Sequence, residues 1–137
     1  GEPIDLTDAT GKVQVDNGIV SIATGKYAGS GDWDDWVLID NASAKVFRLD
    51  TGQGNDNAKI VGDVAATQEV TVKMGDGNDW LTLGVPLEQL QVPSTRLIDG
   101  GKNTDTLENA YGLSHPLPLA LAAVFKNWEA FADLPII

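Results

Sequence analysis

Apolar residues in this chain recur at every second position over short runs. Phe47 and Leu49, Ala58 and Ile60, Val70 and Val72, and Leu81 and Leu83 each flank one polar residue. Successive side chains of a strand point to opposite faces, so this alternation predicts half-buried strands. The runs are broken by clusters of Gly, Asn and Asp, as in M-G-D-G-N-D directly before W-L-T-L (Met74 to Leu83). Those residues tolerate left-handed backbone conformations and predict turns. A phosphate-binding loop is excluded there, because neither a Lys nor a following helix accompanies the glycines.

The turn returns along the chain. T-G-Q-G-N-D-N-A-K-I (Thr51 to Ile60) and G-G-K-N-T-D-T-L-E-N (Gly100 to Asn109) align with Met74–Leu83, and A-G-S-G-D-W-D-D-W-V-L-I (Ala28 to Ile39) is a degenerate copy. The anchoring glycines Gly29, Gly52, Gly75 and Gly101 lie 23, 23 and 26 residues apart. Strand, glycine-rich turn, strand and a looser return make one coil. A coil of this length cannot bury its inward side chains alone, whereas stacked coils can. The pattern therefore predicts an all-β chain, a short parallel β-solenoid of roughly five coils of ~23 residues with the acidic turns along one edge. An antiparallel sandwich with Asn/Gly hairpins is the rival arrangement, but it has no reason to repeat one acidic turn at a fixed step.

Residues 1–27, with Val13, Val15, Ile19, Val20 and Ile22, are expected to form an N-terminal coil, and residues 28–110 the repeat coils of a single domain spanning 1–137. Residues 111–137 are the most apolar part and are expected to cap the open end, with Leu117–Val124 a short helix or irregular plug and Phe125–Phe131 a last strand. Solenoid ends are commonly capped, because an unpaired strand edge invites aggregation.

Charge changes the picture more than composition does. Nine basic residues against twenty acidic ones give a formal charge of −11 over 137 residues, with 42% apolar content. That field disfavours nucleic acid and anionic membrane and attracts cations. Much of the acid sits in the turns, where a stack would hold carboxylates about 5 Å apart. Two such groups repel by roughly 3 kcal/mol at an effective dielectric of 20. A divalent ion reverses the sign, and calcium suits irregular oxygen sites better than magnesium. No cysteine is present, which excludes disulfides, thiolate metal sites and a cysteine nucleophile. No apolar run approaches the ~20 residues of a membrane span, and G-E-P-I-D is not a signal peptide, so any export signal is expected to lie outside this sequence or to have been removed.

At these residues the chain resembles the RTX, or haemolysin-type calcium-binding repeat, family, whose nonapeptide is G-G-x-G-x-D-x-U-x with U a large apolar residue. Gly100–Glu108 matches with Asn103 in place of the third glycine, while Thr51–Lys59 and Met74–Thr82 each lack only the first glycine. The resemblance implies a β-roll-like fold in which the first six residues form a calcium-binding turn and the last three a short strand. It implies calcium ligation by the side chains of Asp56, Asp79 and Asp105, with backbone carbonyls of Gly52, Gln53, Gly54, Gly75, Asp76 and Gly77. Here one motif occurs per ~23 residues rather than in tandem, so only one edge should carry ions. An EF-hand is excluded, since no segment places Gly at position 6 and Glu at position 12 after a leading Asp.

Catalytic chemistry finds little support in the sequence. The only arginines are Arg48, expected outward beside Thr71, and Arg96; His115 is alone in a proline-bracketed loop, and Ser30 and Ser94 lack a recognisable base. No catalytic residue is assigned. If Leu81 and Leu83 point inward, Trp80 points out, and Trp36 falls at a similar place two coils earlier. Two exterior indoles would suit sugar rings or a partner protein, unless return loops or the C-terminal segment cover them. The leading expectation is a calcium-binding solenoid module of an exported bacterial protein, extracellular or on the cell surface, acting as scaffold or adhesive segment. Alternatives are a module binding glycan or a cell-surface protein through Trp36 and Trp80, and a fragment of a β-helix polysaccharide-active enzyme.

Overall fold

The computed structural model describes residues 4–5, 13–14, 19–23, 34–85, 94–108 and 123–132. Ten strands appear among them and no helix: β1 (Ile4–Asp5), β2 (Val13–Gln14), β3 (Ile19–Ala23), β4 (Trp36–Asp50), β5 (Asn57–Lys73), β6 (Trp80–Gly84), β7 (Thr95–Asp99), β8 (Thr106–Glu108), β9 (Phe125–Lys126) and β10 (Ala130–Ala132). Every pairing between them is parallel. The chain is an all-β solenoid of about three complete turns, with partial coils stacked at either end where the sequence pattern predicted roughly five coils.

The two longest strands explain how a coil closes. β5 lies along β4, but its first part, Asn57–Val61, stacks on Trp80–Gly84, and its last part, Glu69–Lys73, stacks on Thr95–Asp99. One strand therefore serves two walls and bends between them. The bend coincides with register shifts at Asp40/Ala42 and Ala44/Val46 and with Gly62 at φ 78°. Irregularities of this kind turn a strand without ending it.

Parallel stacking places equivalent residues about 4.8 Å apart, so each alternating apolar position becomes a continuous row. Val37, Ala58, Leu81 and Leu107 form one row, and Ile39, Ile60 and Leu83 the next. On the second wall Leu49, Val72, Ile98 and Phe125 are in register, and all of these side chains are buried. The pattern fails at Arg96, which pairs with Val70 and sits half-buried at the end of the Phe47–Val70 row.

The C-terminal segment differs from the single strand expected over Phe125–Phe131. It breaks into β9 and β10 around a turn of three residues, Asn127–Glu129, where the other turns have six, with Asn127 in the left-handed region at φ 59°. β9 stacks on β7 and β10 on β8. Trp128 and Phe131 pack partly buried against the core, and the Trp128 indole donates to the Ile98 carbonyl (3.0 Å). Val15 and residues 117–122 lie outside the described residues.

Candidate functional site

The glycine-rich turns stack on one edge, backbone upon backbone. A Cβ at Gly75 would lie 1.8 Å from the Gly52 carbonyl oxygen, and one at Gly77 1.9 Å from the Gly54 oxygen. Their φ values of 95° and 137° add a second reason that no other residue fits. The close approach lets the turns bond directly: Asp76 N–H donates to the Gly52 carbonyl (2.9 Å), Lys102 N–H to the Gly75 carbonyl (2.9 Å), and Gly54 N–H to the Asp76 carbonyl (3.0 Å). Asn103 takes the third glycine's place at φ 83°, as its tolerance of that region allows.

The last residue of each turn points inward and forms a row of carboxylates. Asp56 and Asp79 are each 2% exposed and Asp105 is fully buried. Each carboxylate accepts the backbone N–H of its counterpart in the preceding coil. Asp35 N–H donates to Asp56 Oδ1 (2.8 Å), Asp56 N–H to Asp79 Oδ1 (2.8 Å) and Asp79 N–H to Asp105 Oδ1 (2.9 Å). The exposed Glu129 closes the row, its longer side chain accepting from Asp105 N–H (2.9 Å). Beside it runs a second, exposed row in the opposite sense: Asn55 N–H donates to Asp34 Oδ1, Asn78 N–H to Asn55 Oδ1 and Thr104 N–H to Asn78 Oδ1.

One oxygen each of Asp56, Asp79 and Asp105 is thus satisfied, and the other is not. The Oδ2 atoms of Asp35, Asp56, Asp79 and Asp105 are buried without a hydrogen-bond partner. Such a group is costly to leave unpaired, and more so when charged. Burial pushes Asp79 up to about 7, with the neighbouring carboxylates of Asp56, Asp105 and Asp76 adding to the rise against the Asp56 N–H. Burial likewise raises Asp56 and Asp105 to about 6 each. Between about pH 4 and pH 6 the row therefore holds protons that ordinary aspartates release.

The structure brings Asp56, Asp79 and Asp105 into one row and places Gly52, Gln53, Gly54, Gly75, Asp76 and Gly77 in the turns beside them. Gln53 and Asp76 are in register with Lys102; the Asp76 side chain faces out and pairs with the Lys102 ammonium (3.4 Å). Asp35 and Glu129 are ladder members that sequence reasoning missed. The available signal was their place before an inward apolar residue: D-W-V at Asp35 and E-A-F at Glu129 repeat D-W-L at Asp79. Arg48 is exposed, in register with Thr71, and pairs with Glu69 (Nη2 to Oε1, 3.1 Å). Ser94 donates to the Gln68 carbonyl (3.4 Å). Gly29, Ser30 and His115 lie outside the described residues.

No protein-family model, curated protein or solved structure matches this chain. Its class rests on the fold, a parallel β-solenoid with a carboxylate-lined turn edge.

The donor set suits a hard cation in kind: all oxygen, anionic, and with spare acceptor capacity on each buried Oδ2. Among the described residues no three acidic or histidine side chains gather as a metal cage. Backbone carbonyls of the turns would have to complete any coordination, and a carbonyl that already accepts one hydrogen bond retains a second lone pair.

Proposed function

We propose that this chain is a calcium-stabilised β-solenoid module, a non-catalytic scaffold or adhesive segment of an exported bacterial protein of the RTX type. One observation carries the reading: a buried row of aspartates, each keeping an unpartnered oxygen, in a chain of net charge −11. Asp56, Asp79 and Asp105 would hold the ion by side chain, with turn carbonyls from Gly52, Gln53, Gly54, Gly75, Asp76 and Gly77. Bound calcium supplies positive charge between stacked carboxylates. The chain's own residues do the rest: the glycines bring the turns close, the Oδ1 bonds orient each carboxylate, and Glu129 terminates the row.

Thermal melting in calcium and in chelator tests this. An ion bound only by the native state stabilises by about 2.7 kcal/mol at a hundredfold excess over Kd, or about 10 °C in a domain of this size. Magnesium should substitute poorly, because it demands near-ideal octahedral geometry. Equal melting temperatures in calcium and chelator, after complete metal removal, would reject the reading.

A further inference from the structure

A different face of the solenoid carries two exposed indoles. Trp36 (53% exposed) and Trp80 (40%) are the exposed large hydrophobic residues among those described. Trp36 pairs with Asn57, Asn57 with Trp80 and Trp80 with Thr106, so the indoles share one outward row with an exposed amide between them. The parallel row two residues on reads Leu38, Lys59, Thr82 and Glu108. Trp80 is held in place, since its indole N–H donates to Glu108 Oε1 (3.3 Å), an oxygen that also accepts from the Thr82 hydroxyl (2.9 Å).

We infer that this face binds a neutral, extended pyranose chain lying along the solenoid axis. Two strand steps separate the indoles by about 9.6 Å, and one step is close to the advance of one sugar residue in an extended pyranose chain. Alternate sugars would stack their C–H faces on Trp36 and Trp80, and the sugar between would lie over the Asn57 amide. The surrounding Lys59, Thr82 and Glu108 offer donors and acceptors to ring hydroxyls.

The occupant's chemistry follows from what interrupts the aromatic surface. A protein interface favours a charge-depleted apolar centre, whereas here an amide separates the two rings and Lys59 and Glu108 border them. A sugar chain alternates apolar faces with hydroxyl edges and tolerates that pattern. The chain's charge of −11 disfavours an acidic glycan. The indole row directly follows the carboxylate row in sequence but lies on the outer surface, whereas Asp56, Asp79 and Asp105 are buried, so the sugar face does not require a bound ion.

Calorimetric titration with cellohexaose, chitohexaose and xylohexaose, with polygalacturonate as the acidic comparison, tests the proposal. At least one neutral hexamer should bind, and polygalacturonate should bind more weakly. Trp36→Ala and Trp80→Ala should each weaken binding about tenfold, the scale of one lost aromatic stacking contact. Trp80→Phe should retain most of it, with all variants melting within a few degrees of wild type. The proposal is overturned if no neutral hexamer binds at millimolar protein, if polygalacturonate binds best, or if the alanine variants bind like wild type.

Discussion

Two rows of charge run through the same coils and are treated in opposite ways. On the outer wall Asp50, Lys73, Asp99 and Lys126 are in register, one above the next, alternating in sign. On the turn edge Asp35, Asp56, Asp79 and Asp105 follow one another with the same sign, the last three buried. Parallel stacking makes any residue chosen for one coil the neighbour of its equivalents at about 4.8 Å. The outer row sets unlike charges next to one another, Asp99 accepting from Gly101 N–H and the Asn127 amide, and alternation contributes at most about 1 kcal/mol per neighbour. The inner row does not alternate, so its charge must be relieved by protons or by a cation. Backbone N–H groups satisfy one oxygen each of Asp56, Asp79 and Asp105 and leave their Oδ2 atoms unpartnered.

The largest effect should come from disturbing the spacing on which both rows depend. Gly75→Ala puts a methyl group 1.8 Å from the Gly52 oxygen at a φ of 95°. Strain and overpacking together should cost about 4 kcal/mol or more, read as loss of the cooperative urea transition or a collapsed midpoint. Asp79→Asn should have an intermediate effect of the opposite sign in chelator at pH 8. The amide keeps an acceptor for Asp56 N–H and removes a buried charge, so the metal-free variant should match wild type or exceed it by about 1–3 kcal/mol, with a blunted calcium response. Asp50→Asn, in the alternating row, should leave that response intact. Lys73→Glu should have the smallest effect. It makes three successive outer residues acidic, costs about 1 kcal/mol at low salt, and should recover most of that near 1 M salt, where screening acts within about 3 Å.

Much of the fold was legible in the sequence because period-two alternation and a repeated turn are both local patterns. Leu81 and Leu83, or Ala58 and Ile60, reveal their faces without knowledge of their neighbours. The row of Asp56, Asp79 and Asp105 followed from the same alignment. Less visible were elements defined by what they stack on. Asp35 was obscured by the irregular G-S-G-D-W-D-D-W stretch, and only pairing of Trp36 with Asn57 fixes its place. The C-terminal coil was hidden because its turn, Asn127–Glu129, is three residues shorter than the others and ends on Glu where they end on Asp. Arg96 stands in register with Phe47 and Val70, an exception to the alternation that no local pattern records. The direction of the Oδ1 bonds was equally invisible, being a property of coil-to-coil offset.

The central claim, that the buried carboxylate row is relieved by either protons or calcium, is tested most directly by melting the protein at pH 5 and pH 8, each in calcium and in chelator. Asp79 near 7 and Asp56 and Asp105 near 6 lie above the unfolded aspartate value of about 3.9. The folded chain therefore holds more protons than the unfolded chain between these limits. Its stabilisation from this source is full below about pH 4 and is lost as pH rises through 6 to 7. In chelator the melting temperature should consequently be higher at pH 5 than at pH 8. Calcium requires the deprotonated row, so it should raise the melting temperature strongly at pH 8 and little at pH 5. A calcium increment that is the same at both pH values, or a chelated protein more stable at pH 8 than at pH 5, would contradict the account.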